Sequence, residues 1–278
     1  MKKTLILSLF MVVTFMAVGQ NKYQKDFDYF WELMEDQYAY FDQKQTQWNK
    51  VKELYDTRLQ TVTKDWEFTY TIELMKHELY DPHLSLNRNL DFSFRLIPND
   101  SDAYIKVDNG KYYISDIRDS YRITEYNLQI GDQLVKVNGK NIQEIIHSNL
   151  PTSIENPDEE VREYFANLIF AGRYNEPRKF EILRNKQSME VQVPRATPIK
   201  ESSLLLESDI VLEDVGYIKI NNSLGNNELI NRFPNAVDDL KNTRALIIDL
   251  RETHGGGNTD VARAIMGKFI TQETPYQI

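Results

Sequence analysis

The chain has 278 residues, 41% hydrophobic and 27% charged, with a formal charge of −9 and no cysteine. The missing cysteine excludes a disulfide framework and a lipid joined through an N-terminal Cys. The acidic balance argues against nucleic acid or anionic lipid as a partner, and the length lets the chain bury one or two cores of its own.

Lys2-Lys3 make a basic start, residues 5–18 are almost all apolar, and Ala17-Val18-Gly19 offers small residues for cleavage. That is the anatomy of a secretory signal peptide over residues 1–19. The apolar run is shorter than the roughly 20 residues that cross a bilayer. Export to the periplasm or exterior of a bacterial envelope is therefore expected, with no membrane span left after cleavage. Loss of Lys2 and Lys3 with the leader deepens the negative charge.

From Asp26 onward, Phe27, Phe30, Trp31, Met34, Tyr38 and Phe41 recur at helical spacing. Trp48, Val51, Leu54, Tyr55 and Leu59 give a second helical face, and Ile72, Met75 and Leu79 a third. The aromatics on these faces are read as core of a small helical unit. Asp81-Pro82 then breaks the helix, and Leu84, Leu86, Phe92, Phe94 and Leu96 alternate as a strand does. Residues 104–114 predict two strands around Asn109-Gly110, a strong hairpin signal. In NLQIGDQLVKVNGKNI, residues 127–142, Gly131-Asp132 makes a turn, Leu134, Val135 and Val137 a strand, and Asn138-Gly139 a second hairpin turn. Residues 157–172 predict a helix, and strands 180–183 and 189–193 pair around residues 184–187. A polar linker with Pro194 and Pro198 covers residues 194–201. Strand 215–220, helix 227–240, strand 245–250 and helix 259–269 complete an α/β order.

The junction between the last two elements reads LIIDLRETHGGGNTDVARAIMGKF, residues 246–269. Gly255, Gly256 and Gly257 can adopt φ > 0 and let successive N–H groups converge on one point. Asn258 or Thr259 suits an N-cap and Asp260 the first helical turn. Such a site stabilises an anion: a phosphate, a carboxylate, or an oxyanion formed during acyl transfer. A tight turn with no ligand accounts for the same spacing. Phosphate is disfavoured, because a dinucleotide fingerprint needs a glycine where Asp260 stands and no P-loop Lys-Ser/Thr pair follows. Of four histidines, His77 is expected on a helix surface, His147 in a polar stretch, His254 beside the glycines, and His83 at the head of a strand in LYDPHLSL, where functional side chains are common. No Gly-x-Ser-x-Gly, no Ser-x-x-Lys and no His pair for a metal are present, so neither a metal nor a cofactor is expected.

These pieces resemble one family. DLRETHGGGNTDVARAIMGKF is similar to the Asp-Leu-Arg-x-Asn-x-Gly-Gly segment of the tail-specific, or carboxyl-terminal processing, serine peptidases. Thr253 stands in place of the Asn, and His254 follows it. GYIKINNS, residues 216–223, resembles the strand that opens their catalytic domain. NLQIGDQLVKVNGKNI resembles a PDZ signature, and LYDPHLSL resembles the Asp-x-His-Thr segment of the branch with the tricorn core and the interphotoreceptor retinoid-binding protein.

The resemblance implies a multidomain α+β and α/β fold. It comprises an N-terminal helical unit with a strand extension (residues 20–96), a PDZ-like β-domain (97–196) and a partial crotonase/ClpP-like α/β catalytic core (197–278). It further implies an exported serine-type endopeptidase that acts on polypeptides. In that reading His83 is the general base, Gly255 and Gly256 supply oxyanion-hole amides, and substrate C-termini are captured by the PDZ-like unit near Ile114 and Leu128. A later Lys remains the alternative base. The nucleophilic Ser lies beyond the next strand in the family, so this chain is expected to stop before it and to be inactive alone. A non-catalytic peptide- or ligand-binding protein on the same scaffold is the alternative function.

Overall fold

The computed structural model describes residues 22–97, 101–118, 123–195, 204–222, 224–253 and 256–275. The expected signal peptide, most of the 194–201 linker, His254 and Gly255 lie outside the described residues.

Three helices open the chain: α1 (Gln24–Gln37), α2 (Trp48–Leu59) and α3 (Asp65–His77). Their apolar stripes meet in a core of Phe27, Trp48, Val51, Tyr55, Leu59, Ile72 and Met75. Trp31 and Trp48 each donate an indole N–H to the other's carbonyl at 3.1 Å, which locks α1 to α2 while burying two large rings. Glu67 accepts from the backbone N–H groups of Thr63 and Lys64, closing the start of α3 in the manner of a capping box. Past the end of α3, Tyr80 takes φ +37. A left-handed non-glycine residue costs about 1–2 kcal/mol, and here it swings Asp81-Pro82 away from the helix axis.

The alternation at residues 84–96 does not form the expected strand. Only an isolated bridge, Phe94 to Arg173, is present there. Side chains take the backbone bonds that a ladder would have used: Ser93 Oγ accepts from Leu90 N–H and donates to Glu73, and Arg95 donates to the Ala171 carbonyl. Leu84 and Leu86 instead pack against the helical core.

The middle unit is an antiparallel sheet of β1 (Ala103–Asp108), β2 (Lys111–Ile117), β3 (Gln133–Val137), β5 (Arg178–Arg184) and β6 (Gln187–Val193) in that spatial order, with β4 (Lys140–Asn141) paired to β3. Asn109, Asn138 and Asn185 adopt φ near +50 at the three hairpin turns, as the sequence signals require. Helices α4 (Ile142–Asn149) and α5 (Glu159–Ala171) cover the sheet. The sequence reading missed α4, whose eight residues give too short a periodic signal; Asn141 caps it by accepting from Gln143 N–H. Phe170 and Phe180 stack at 4.7 Å in the core. Arg178 and Asp102 form a buried two-pronged ion pair at 2.9 and 2.7 Å. The two units are tied by Glu78, which accepts from Thr152 N–H, Ser153 N–H and the Tyr55 hydroxyl, each at 2.9 Å.

The last unit is a three-stranded sheet: β7 (Leu206–Val211) antiparallel to β8 (Val215–Ile220), and β8 parallel to β9 (Ala245–Asp249). Helix α6 (Leu229–Asp239) makes the crossover and α7 (Thr259–Gly267) follows β9. Ile218, Ile220, Leu229, Phe233, Ala236, Leu240 and Val261 form its core. The sequence reading also missed β7: its residues are mostly exposed, so it carries no buried alternation.

Candidate functional site

The β9–α7 junction is built from both sides. Asp249, buried at the end of β9, accepts two guanidinium bonds from Arg251 at 3.0 and 2.7 Å, the Arg251 backbone N–H at 3.0 Å and the Tyr217 hydroxyl at 2.6 Å. The Arg251 bonds foremost, and that from Tyr217, hold the Asp249 carboxyl far below the usual carboxylate range against the opposing effect of burial. The carboxylate thereby turns the chain out of the sheet. Thr253 N–H closes the turn on the Leu250 carbonyl.

On the far side, Asn258 accepts from Asp260 N–H as the N-cap of α7. It also donates to Asn227 at 2.7 Å, and its own N–H reaches the Leu224 carbonyl. The loop is pinned at both ends. Gly256 and Gly257 adopt φ +67 and +148. A Cβ at Gly256 would meet nothing within 4 Å, so φ, not crowding, demands glycine there. Among the described residues neither amide donates to another group. Two free N–H groups beside a helix N-terminus form a receptor for negative charge.

His83 stands apart, its side chain 93% exposed. Its Nδ1 lies 3.2 Å from Asp81 Oδ1, and its backbone N–H donates to the same oxygen at 2.8 Å. The Tyr38 hydroxyl donates to Asp81 Oδ2 at 2.7 Å. Burial pushes the Asp81 carboxyl up, but the bonds from Tyr38 and His83 outweigh it, and it titrates below its ordinary value. The sequence reading placed Asp81 in a helix stop and in the Asp-x-His spacing but gave it no role of its own. Among the described residues no hydrogen bond joins His83 to the glycine loop, and no serine hydroxyl bonds to His83.

Three expectations need correction. Ile114 and Leu128 are each only 1% exposed, because their side chains pack into the apolar core of the middle sheet. They present no surface to a peptide. His77 is 7% exposed, not on a surface, because its helix face packs under Phe94. Its basicity falls to about 3, through burial first and then the neighbouring Lys76 and Arg173 charges. His147 is exposed on α4. Among the described residues no cluster of metal-ligating side chains occurs, and no helix is long and apolar enough to cross a membrane.

Asn167 of α5 adds a feature that no sequence motif announced. Its side chain accepts from Ile105 N–H and donates to Ile105 C=O, both at 2.8 Å. It thus occupies the outer edge of β1 as an added strand would.

Residues 20–76 match the model of the Tricorn protease C1 domain. No curated protein matches the chain. Among solved structures, a CPAF mutant is similar with a TM-score of 0.50 and 18% identity over 84% of this chain and 56% of that one. Mature CPAF complexed with lactacystin gives 0.49 and 16% over 87% and 58%. The photosystem II D1 C-terminal processing protease gives 0.43 and 14% over 83% and 61%. The chain therefore spans a little over half the length of the structures it matches, and the likeness to the CPAF mutant speaks for the fold. The C1 match and this mixed α/β fold together support the similarity to a tail-specific protease family that the sequence motifs carry.

Proposed function

We propose that these residues are the N-terminal part of an exported serine-type peptidase. The β9–α7 glycine loop would hold the oxyanion of a peptide-bond intermediate, and His83 would serve as general base. The observation that carries the reading is the loop itself: Gly256 and Gly257 at left-handed φ, their amides without an acceptor among the described residues, and a capped helix directly behind them. Donors preset in this way act on charge that develops in the transition state, and one such donor is worth about 3 kcal/mol. Gly255 belongs to the same loop by sequence. The apolar leader at residues 5–18 supports export.

The attacking hydroxyl is assigned to a segment outside these 278 residues. In the proposed reaction it adds to the peptide carbonyl, His83 takes its proton, and the loop amides receive the carbonyl oxygen. The middle sheet, with hairpins and two covering helices, supports a PDZ-like reading in which an extended substrate C-terminus adds as a strand. Addition at the β1 edge first requires Asn167 to rotate away from Ile105; the β6 edge carries no such block among the described residues.

The test is expression of the chain together with the coding sequence that follows codon 278. Cleavage of an unfolded protein substrate, lost in His83→Ala while the fold persists, supports the reading. Cleavage indifferent to His83→Ala, or a continuing frame with no serine, sinks it. Binding of C-terminal peptides without cleavage would instead establish the non-catalytic alternative.

A further inference from the structure

We propose that Asp81 and Tyr38 are positioning residues for His83: the chain Tyr38–Asp81–His83 fixes the imidazole in the Nδ1–H tautomer with Nε2 bare toward solvent. This deepens the reading of His83 as a base and rests on it for its catalytic meaning.

The geometry leaves little choice of tautomer. A carboxylate only accepts, so the 3.2 Å contact between Nδ1 and Asp81 Oδ1 is attractive only when Nδ1 carries the proton. The second carboxylate oxygen is held by Tyr38 at 2.7 Å. Burial, and the bond to Asp81, push the Tyr38 hydroxyl up, so it stays a donor. Tyr38 is itself fixed by edge-on packing against Tyr40 and Phe41. Pro82 sets the backbone between acid and imidazole, and the left-handed Tyr80 just before them re-aims the chain. Strain of that kind concentrates where a side chain must be held.

The competing account is local. An Asp accepting from the N–H two residues on is an ordinary Asx turn, and it would end α3 without any catalytic purpose. Such a turn uses Oδ1 and the backbone alone. It does not explain why Oδ2 is engaged by the tyrosine that ends α1, nor why the imidazole folds back onto the carboxylate while otherwise exposed. With the dyad in place, a hydroxyl proton passes to Nε2. The resulting imidazolium keeps its Nδ1–H on Asp81, which remains ionised, and the proton leaves later on the departing amine.

The proposal is tested by nitrogen-15 NMR of the imidazoles in the 278-residue chain, at a pH where histidine is neutral; His83→Gln assigns the signal. In the unsubstituted chain, His83 shows Nδ1 protonated and Nε2 bare. In Asp81→Ala no acceptor faces Nδ1, so the preference for Nδ1–H is lost and the population moves toward Nε2–H. In Tyr38→Phe the tautomer population moves partway in that direction. A predominantly Nε2–H ring in the unsubstituted chain overturns the proposal, as does one tautomer pattern common to all three. If Asp81→Ala lowers helix content, Tyr38→Phe decides. In the longer protein, Asp81→Ala lowers kcat by up to about 10⁴-fold, the loss expected when a base is no longer held in the right tautomer, with KM little changed. The Nδ1–H signature with cleavage indifferent to His83→Ala would overturn the base reading while the positioning geometry stood.

Discussion

His77 makes the stability of the helical unit fall in mild acid. The side chain is buried beneath Phe94, and Lys76 and Arg173 add like charge to any imidazolium that forms. Folding thus takes a group that titrates near 6.5 in an open chain and holds it at about 3. The folded state favours the neutral ring, so its contribution is fully present above pH 6.5 and is withdrawn as pH falls toward 3. At pH 5 the unfolded chain binds a proton that the folded chain refuses. With about 1.36 kcal/mol for each unit between pH 5 and 6.5, the loss is about 2 kcal/mol. All three tryptophans of the chain, Trp31, Trp48 and Trp66, belong to this unit, so their fluorescence in urea reports it alone. With an m-value of about 1–2 kcal/mol/M for a small unit, the midpoint drops by about 1–2 M between pH 7.5 and 5. Glu73 and Glu78 line the same interior, so the His77→Gln comparison isolates the imidazole. His77→Gln has a lower midpoint at pH 7.5 but removes the titration, so its curves at the two pH values coincide. Equal midpoint shifts in the unsubstituted chain and in His77→Gln would refute the reasoning.

Asp102→Ala leaves the Arg178 guanidinium buried without its carboxylate; a loss of about 3–5 kcal/mol is expected in denaturant unfolding of the middle unit. Glu78→Gln replaces an acceptor-only group with one whose NH2 opposes an N–H donor. It costs about 1.5–3 kcal/mol, and hydrogen exchange at Thr152 and Ser153 rises. Asn167→Ala strands the N–H and C=O of Ile105. Stability falls by about 1–3 kcal/mol, and if the β1 edge can accept a strand, a C-terminal peptide binds this variant more tightly than the parent in calorimetry. Gly256→Ala forces a side chain to φ +67 in open space. It costs about 1 kcal/mol by thermal melting, whereas Gly256→Asn costs less because Asn tolerates that conformation.

Much of the secondary structure was legible where a signal was both periodic and local. The helical faces of α1 to α3 were strong enough to read directly, and Asn-Gly at 109–110 and 138–139 set two hairpins through left-handed turn residues. Failures came where long-range bonds overrode local pattern. Residues 84–96 alternate in hydropathy, but Ser93 and Arg95 bond to Glu73 and Ala171 elsewhere in the chain, and no ladder forms. The eight residues of α4 and the exposed strand β7 gave no period to read.

For the candidate site the division is sharper. Sequence alone determined that three glycines separate a strand from a capped helix, and that His83 follows an Asp by two residues; both are properties of residue type and spacing. Only the tertiary structure decided that Tyr217 anchors Asp249 at one end of the glycine loop, and Leu224 and Asn227 anchor Asn258 at the other. It also brought Tyr38, from a helix more than forty positions away, onto Asp81. It placed Ile114, Leu128 and His77 in the interior. The reason is physical: turn chemistry and capping are fixed by neighbours in the chain, whereas burial and hydrogen-bond partners depend on which faces pack together.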